Sequence, residues 1–138
     1  MMLLLVALLV EEPSKPVHKE VGVPKATLYV SAQGYAACLS ASAAELEARV
    51  AAFKRPESFT RLQMKMAVEK RVQTCDTATV ATLSEGAAVE VSSNPGPCAV
   101  PDGDKTTPQL ARVRLTTGEK AGAVGCVVAS WLRDPVVF

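Results

Sequence analysis

The sequence predicts an α+β fold: an N-terminal strand and an antiparallel helical pair, followed by a small five-stranded β-barrel. Three observations predict it. Apolar residues recur at helical spacing between residues 42 and 72. From Thr77 onward the apolar period switches to two, as in half-buried antiparallel strands. Four widely spaced cysteines in a chain of 138 residues suggest a small fold stapled by disulfides. With 49% hydrophobic and 21% charged residues the composition is globular, and with 4% aromatics the core must come mainly from Ala, Val and Leu.

The elements follow in chain order. Met1–Val10 (MMLLLVALLV) is wholly apolar but about half the length a bilayer span requires. It fits the apolar region of a secretory signal, although no Lys or Arg precedes it and no small-x-small site follows before Glu11-Glu12-Pro13. A buried strand or an apolar tail is the alternative. Residues 11–24 mix charges and prolines without period and read as a linker. Ala26–Val30 reads as a strand, Gln33-Gly34 as a turn, and Tyr35–Cys38 as its hairpin partner.

Ser42-Ala-Ala-Glu45 has capping-box spacing, and Leu46, Val50 and Phe53 form one helical stripe. Lys54-Arg55-Pro56 breaks it, with Pro56 suited to the first turn of a second helix. Phe59, Leu62 and Met66 continue the stripe, widened by Met64, Val68 and Val72. Two antiparallel helices, 42–54 and 57–72, are expected. Strands are expected at 78–83, 87–93, 110–116, 124–129 and 135–137. Val89 and Val91 alternate with Glu90, and Ala111, Val113 and Leu115 with Arg112 and Arg114, so Glu90 should face one of those arginines across neighbouring strands. Asn94–Gln109, with four prolines and two glycines, reads as a surface loop. The divisions are a signal-like segment at 1–10, a linker at 11–24, a strand and helical hairpin at 25–76, and a barrel at 77–138.

Catalytic chemistry has little to work with. His18 is the single histidine and falls in the expected linker, so Ser–His and Cys–His pairs are not expected in the folded part. The cysteines lack C-x-x-C spacing and a nearby histidine, so neither a metal nor a cofactor is expected. Asp102-Gly-Asp104 has the start of a calcium loop without the later acidic ligands. A net charge of +1 gives no overall electrostatic case for nucleic acid. Residues 54–71 nevertheless hold Lys54, Arg55, Arg61, Lys65, Lys70 and Arg71 against Glu57 and Glu69, an excess that suits either a solvated helix face or an anionic polymer or lipid.

Gly125-Cys-Val-Val-Ala-Ser-Trp-Leu132 resembles the end of a Src-homology-3-like (SH3-like) barrel, where a glycine and an apolar strand run into a one-turn helix. Val113-Arg-Leu-Thr-Thr-Gly118 resembles the strand and tight turn before it, and Glu85-Gly86-Ala-Ala-Val-Glu-Val91 resembles an early strand of bacterial members. Residues 25–138 as a whole are similar in layout to small exported bacterial proteins that place a strand, a cysteine and a helical pair ahead of the barrel. The resemblance implies a non-catalytic, periplasmic or secreted protein-binding module. Its partner would be a protein or peptide, such as a cell-wall peptide, with no transmembrane span. The alternatives are a disulfide-stapled structural subunit and, further off, an unrecognised hydrolase. Trp131 takes the groove-like position, but the row of aromatics that lines a proline-peptide groove is not evident. Trp131, Arg112 and Arg114 are the candidate binding residues; capping of the barrel end and an outer sheet face are their structural alternatives.

Four cysteines permit three pairings. Two antiparallel helices return the chain to its start, which brings Cys38 near Cys75. Cys98, in the proline-rich loop, then pairs with Cys126 on the fourth barrel strand, where the resembling family often carries an aromatic.

Overall fold

The computed structural model describes residues 17–136 except Asp102 and Thr106. The signal-like run Met1–Val10, the first part of the linker, Asp102 of the calcium-like loop and the end of the strand expected at 135–137 lie outside the described residues. The elements are β1 (Val17–Val21), β2 (Lys25–Tyr29), α1 (Ala32–Lys54), α2 (Ser58–Ala78), β3 (Thr79–Ser84), β4 (Ala88–Val91), β5 (Leu110–Leu115), β6 (Val124–Val128) and β7 (Leu132–Arg133). One-turn 3-10 helices occupy Gly96–Cys98 and Ala129–Trp131.

The fold is α+β, but its β part is a seven-stranded antiparallel open sheet, not a closed five-stranded barrel. The strand order is β3-β2-β6-β5-β4-β1-β7. The two extra strands come from residues expected outside the barrel. β1 lies where a linker was expected, and it pairs with β4 through Val17–Val91, His18–Glu90, Lys19–Val89 and Glu20–Ala88. Its three consecutive polar residues hide the strand, because of this segment only Val21 is fully buried. His18 therefore sits on an exposed strand rather than in a linker. Among the described residues the last strand is Leu132–Arg133, paired with Val21 and Glu20, and the expected strand positions 135 and 136 are not in a strand.

The sheet is rolled, and chain geometry requires it. β3 and β4 are joined by residues 85–87, yet β2, β6 and β5 lie between them. In a flat sheet four inter-strand spacings would separate them by roughly 19 Å. The four residue steps from Ser84 to Ala88 reach at most about 14 Å. Rolling closes the difference. The connecting turn then touches β1, with Val21 N–H donating to the Ala87 carbonyl at 3.0 Å and Gly86 N–H to the Val21 carbonyl at 2.8 Å. Inside the roll, Val21, Leu28, Leu83, Val89, Val113 and Val127 form one core. Fully burying side chains of this size stabilises by about 1.5–3 kcal/mol each.

A second core forms on the outer face. Tyr29, Leu110, Cys126 and Val128 are covered there by Ala32 and Tyr35 at the start of α1, Ala78 at the end of α2, and Cys98. The strand β6 is thus buried on both faces, which accounts for its unbroken apolar run Gly125–Val128. Gly125 is required by close approach: a Cβ there would stand 2.6 Å from the Tyr29 carbonyl oxygen and 2.7 Å from Leu28 Cγ.

The helices are longer than their apolar stripes suggest. α1 starts at Ala32, capped by Ser31, whose Oγ accepts from Gly34 N–H at 3.0 Å. Tyr35–Cys38, expected as a strand, is helical. Nine alanines in α1, the strongest helix formers, carry it through Gly34. The Ser42 hydroxyl is not a cap; it donates to the Cys38 carbonyl at 2.9 Å within the helix. α2 begins at Ser58, two residues after Pro56, and runs on to Ala78.

Candidate functional site

The three residues that the resemblance singles out all make contacts within the fold. Trp131 is half-buried and packs against both cores, and its carbonyl accepts from Gly22 N–H at 2.7 Å. Arg114 lies opposite Glu90 on β4 and β5 and pairs with it at 2.6 Å. Arg112 lies opposite Cys126 on β6, and its guanidinium rests on the Gly96 turn, where an added Cβ would come within 2.9 Å of Nη1. With φ +48 at Gly96, that turn suits only glycine in any case. Each of the three is engaged by neighbouring backbone or side chains.

The disulfides are Cys38–Cys75, with 4.7 Å between Cα atoms, and Cys98–Cys126, with 5.5 Å. This is the pairing expected from the return of the chain through two helices. The first clasps α1 to α2 near the sheet. The second pins the Gly96–Cys98 turn onto the outer face of β6. Two disulfides suit an oxidising compartment. Further along the loop, the Asp104 carboxylate takes hydrogen bonds from the backbone N–H and the hydroxyl of Thr107.

Beyond the first disulfide the helical pair projects as an arm, held by a polar clamp. Glu45, 8% exposed, accepts from Arg49 Nε at 3.0 Å and Nη2 at 2.8 Å, and from Arg71 Nε at 2.5 Å. The hydrogen bonds from Arg49, then Arg71, hold its carboxyl below the ordinary value; burial opposes them and loses. At the base of the arm, burial and then the neighbouring Tyr29 raise the Tyr35 hydroxyl. The two rings meet edge to face with centroids 4.9 Å apart.

The outer half of the arm turns its large apolar side chains to solvent. Phe53 is 89% exposed, Phe59 69%, Leu46 64% and Met66 61%, and Leu62 and Val50 are also exposed. These are residues of the two apolar stripes. Smaller residues are the buried ones: on α1 Ala41 and Ala52 are buried and Ala48 half-buried, and on α2 Ala67 and Val68 are half-buried. Alanines let the helix axes approach closely, and the bulkier stripes are left outward. The signal was present in the spacing Ala41, Ala48, Ala52, a second stripe on α1 that the larger residues overshadow. A shallow cleft at the tip is lined by Leu46, Glu47, Val50, Ala51, Lys54, Arg55 and Thr60.

Exposed apolar patches of this kind on a small protein mark interaction surfaces. Among the described residues no group of three His, Cys, Asp or Glu is close enough to hold a metal, and no helix is long and apolar enough to cross a membrane. No family model, no curated protein and no solved structure matches the chain.

Proposed function

We propose that this protein is an exported, non-catalytic interaction module of the cell envelope, and that it engages its partner through the helical arm. The carrying observation is the exposure of Leu46, Phe53, Phe59, Leu62 and Met66 at the end of the arm away from the sheet. A side chain such as Phe59 left in water forgoes about 1.5–3 kcal/mol of burial, and a partner can recover it. The two disulfides support an extracytoplasmic site, and Met1–Val10 fits the apolar part of an export signal. The one-turn helix Ala129–Trp131 follows β6 and leads into β7, the order that the resemblance to bacterial SH3-like domains implies. In this reading the sheet is the stapled platform and the arm is the probe.

The test is fractionation of the native host expressing the full chain. The wild type should sediment with the envelope. A Phe59→Ser/Leu62→Ser variant should move to the soluble fraction, and an Arg112→Ala/Arg114→Ala variant should stay with the envelope. Equal retention of the arm variant and the wild type would refute the reading. Release by the arginine variant alone would move the surface to the sheet.

A further inference from the structure

We infer that the outward face of α2 is a docking surface for an anionic lipid bilayer, which it meets lying in the plane of the headgroups; this rests on the arm being the interaction surface. At about 100° per residue, Phe59, Leu62 and Met66 fall within an arc of roughly 60°. Arg71, which holds Glu45, and Cys75, which is bonded to Cys38, mark the side of α2 that faces α1. The apolar arc lies roughly opposite them, and it is exposed along its length.

The net charge of the arm chooses the occupant. Lys70 and Glu69 lie nearest the arc on its two sides, Lys65 further round and Arg61 off it, all exposed, with Lys54 and Arg55 at the end of the arm. Glu57 and Glu69 are the acidic residues of the same stretch, so the free excess is positive even after Arg71 is assigned to Glu45. A helix with phenylalanine and leucine on one face and lysine and arginine beside them is the arrangement that binds at a membrane interface. A second copy fits less well, because a two-fold contact through this face would set like charges beside one another. The helix would lie on the membrane rather than cross it, since no described helix is apolar enough to span.

The experiment is flotation of the full, disulfide-bonded chain with vesicles of phosphatidylcholine alone and of phosphatidylcholine mixed with phosphatidylglycerol. Binding should appear only with the anionic vesicles and weaken steeply with salt. Lys65→Glu/Lys70→Glu should weaken it more than tenfold, since each basic residue near an anionic surface contributes about fivefold. Phe59→Ser/Leu62→Ser/Met66→Ser, on an exposed face and checked for folding by circular dichroism, should abolish it. Failure to float, equal binding to neutral vesicles, or binding that survives both variants would overturn the inference. If vesicles do not bind while the arm variant still leaves the envelope fraction, the lipid inference fails, an acidic protein becomes the partner, and the arm keeps its role. If the arm variant also stays in the envelope, both readings fail.

Discussion

Replacing Gly125 with alanine tests the packing that holds the two cores together. The new methyl would lie 2.6 Å from the Tyr29 carbonyl oxygen and 2.7 Å from Leu28 Cγ. Carbon contacts are comfortable only at about 3.5–4.0 Å. Neither neighbour can yield easily: Leu28 is fully buried, and Tyr29 is paired with Cys126 where β2 meets β6. Overpacking a filled core costs about 1–3 kcal/mol. Displacing β2 from β6 would weaken a backbone hydrogen bond, for about 1 kcal/mol more. The lower chain entropy of unfolded alanine offsets about 0.4–1 kcal/mol. The net expectation is a loss of about 1–3.5 kcal/mol, read as a lower urea midpoint at unchanged slope under non-reducing conditions. Gly103→Ala is the control, because nothing lies within 4 Å of a Cβ there, and it should change stability by less than about 0.5 kcal/mol. A Gly125→Ala protein as stable as the control would refute the close approach of β2 and β6 and with it the two-faced burial of β6.

Other consequences follow from the same contacts. Opening Cys38–Cys75 by Cys38→Ser/Cys75→Ser should cost about 4 kcal/mol for its separation of 37 residues, and opening Cys98–Cys126, with 28, about 3.5 kcal/mol, by calorimetry. A non-reducing peptide map should link the same pairs, and a Cys38–Cys98 peptide would contradict the arrangement. The Glu45 carboxyl is held below its ordinary value by Arg49 and Arg71, so its contribution is complete above that value and fades as pH falls through the depressed one. Acid should therefore loosen the helical pair in the wild type, and Glu45→Gln should lack that part of the pH dependence in helicity measurements. A double-mutant cycle on Glu90 and Arg114 should return about 0.2–1 kcal/mol, as the pair is largely exposed. N-terminal sequencing of protein from the native host should find a mature chain starting after about Ala7 and ahead of β1 at Val17. Intact Met1 on cytosolic protein would defeat export.

What could be read from the sequence was what local periodicity dictates. Val89-Glu-Val91 and Ala111–Leu115 alternate cleanly, so β4 and β5 and the Glu90–Arg114 pair were visible in advance. The return of two helices likewise brings Cys38 to Cys75. What escaped depends on long-range pairing. β1 has one fully buried residue, and its place between β4 and β7 is set by partners some seventy and more residues away. With β1 hidden and β2 read as a strand ahead of the barrel, the remaining strands suggested a closed barrel instead of a rolled open sheet. The exposed apolar face of the arm went unread for a related reason. Helical spacing shows that Leu46, Val50 and Phe53 share a face, but not which face meets the neighbouring helix. That choice fell to Ala41, Ala48 and Ala52, whose small size allows the close approach.

The measurement that bears most directly on the account is photo-crosslinking in the native envelope. A benzoylphenylalanine placed at Leu62, on the exposed face of α2, should form adducts with the envelope partner on irradiation. The same probe at Arg114, on the sheet, should give none. Adducts from the sheet position, with a silent arm, would contradict the claim that the helical arm is the interaction surface of this protein.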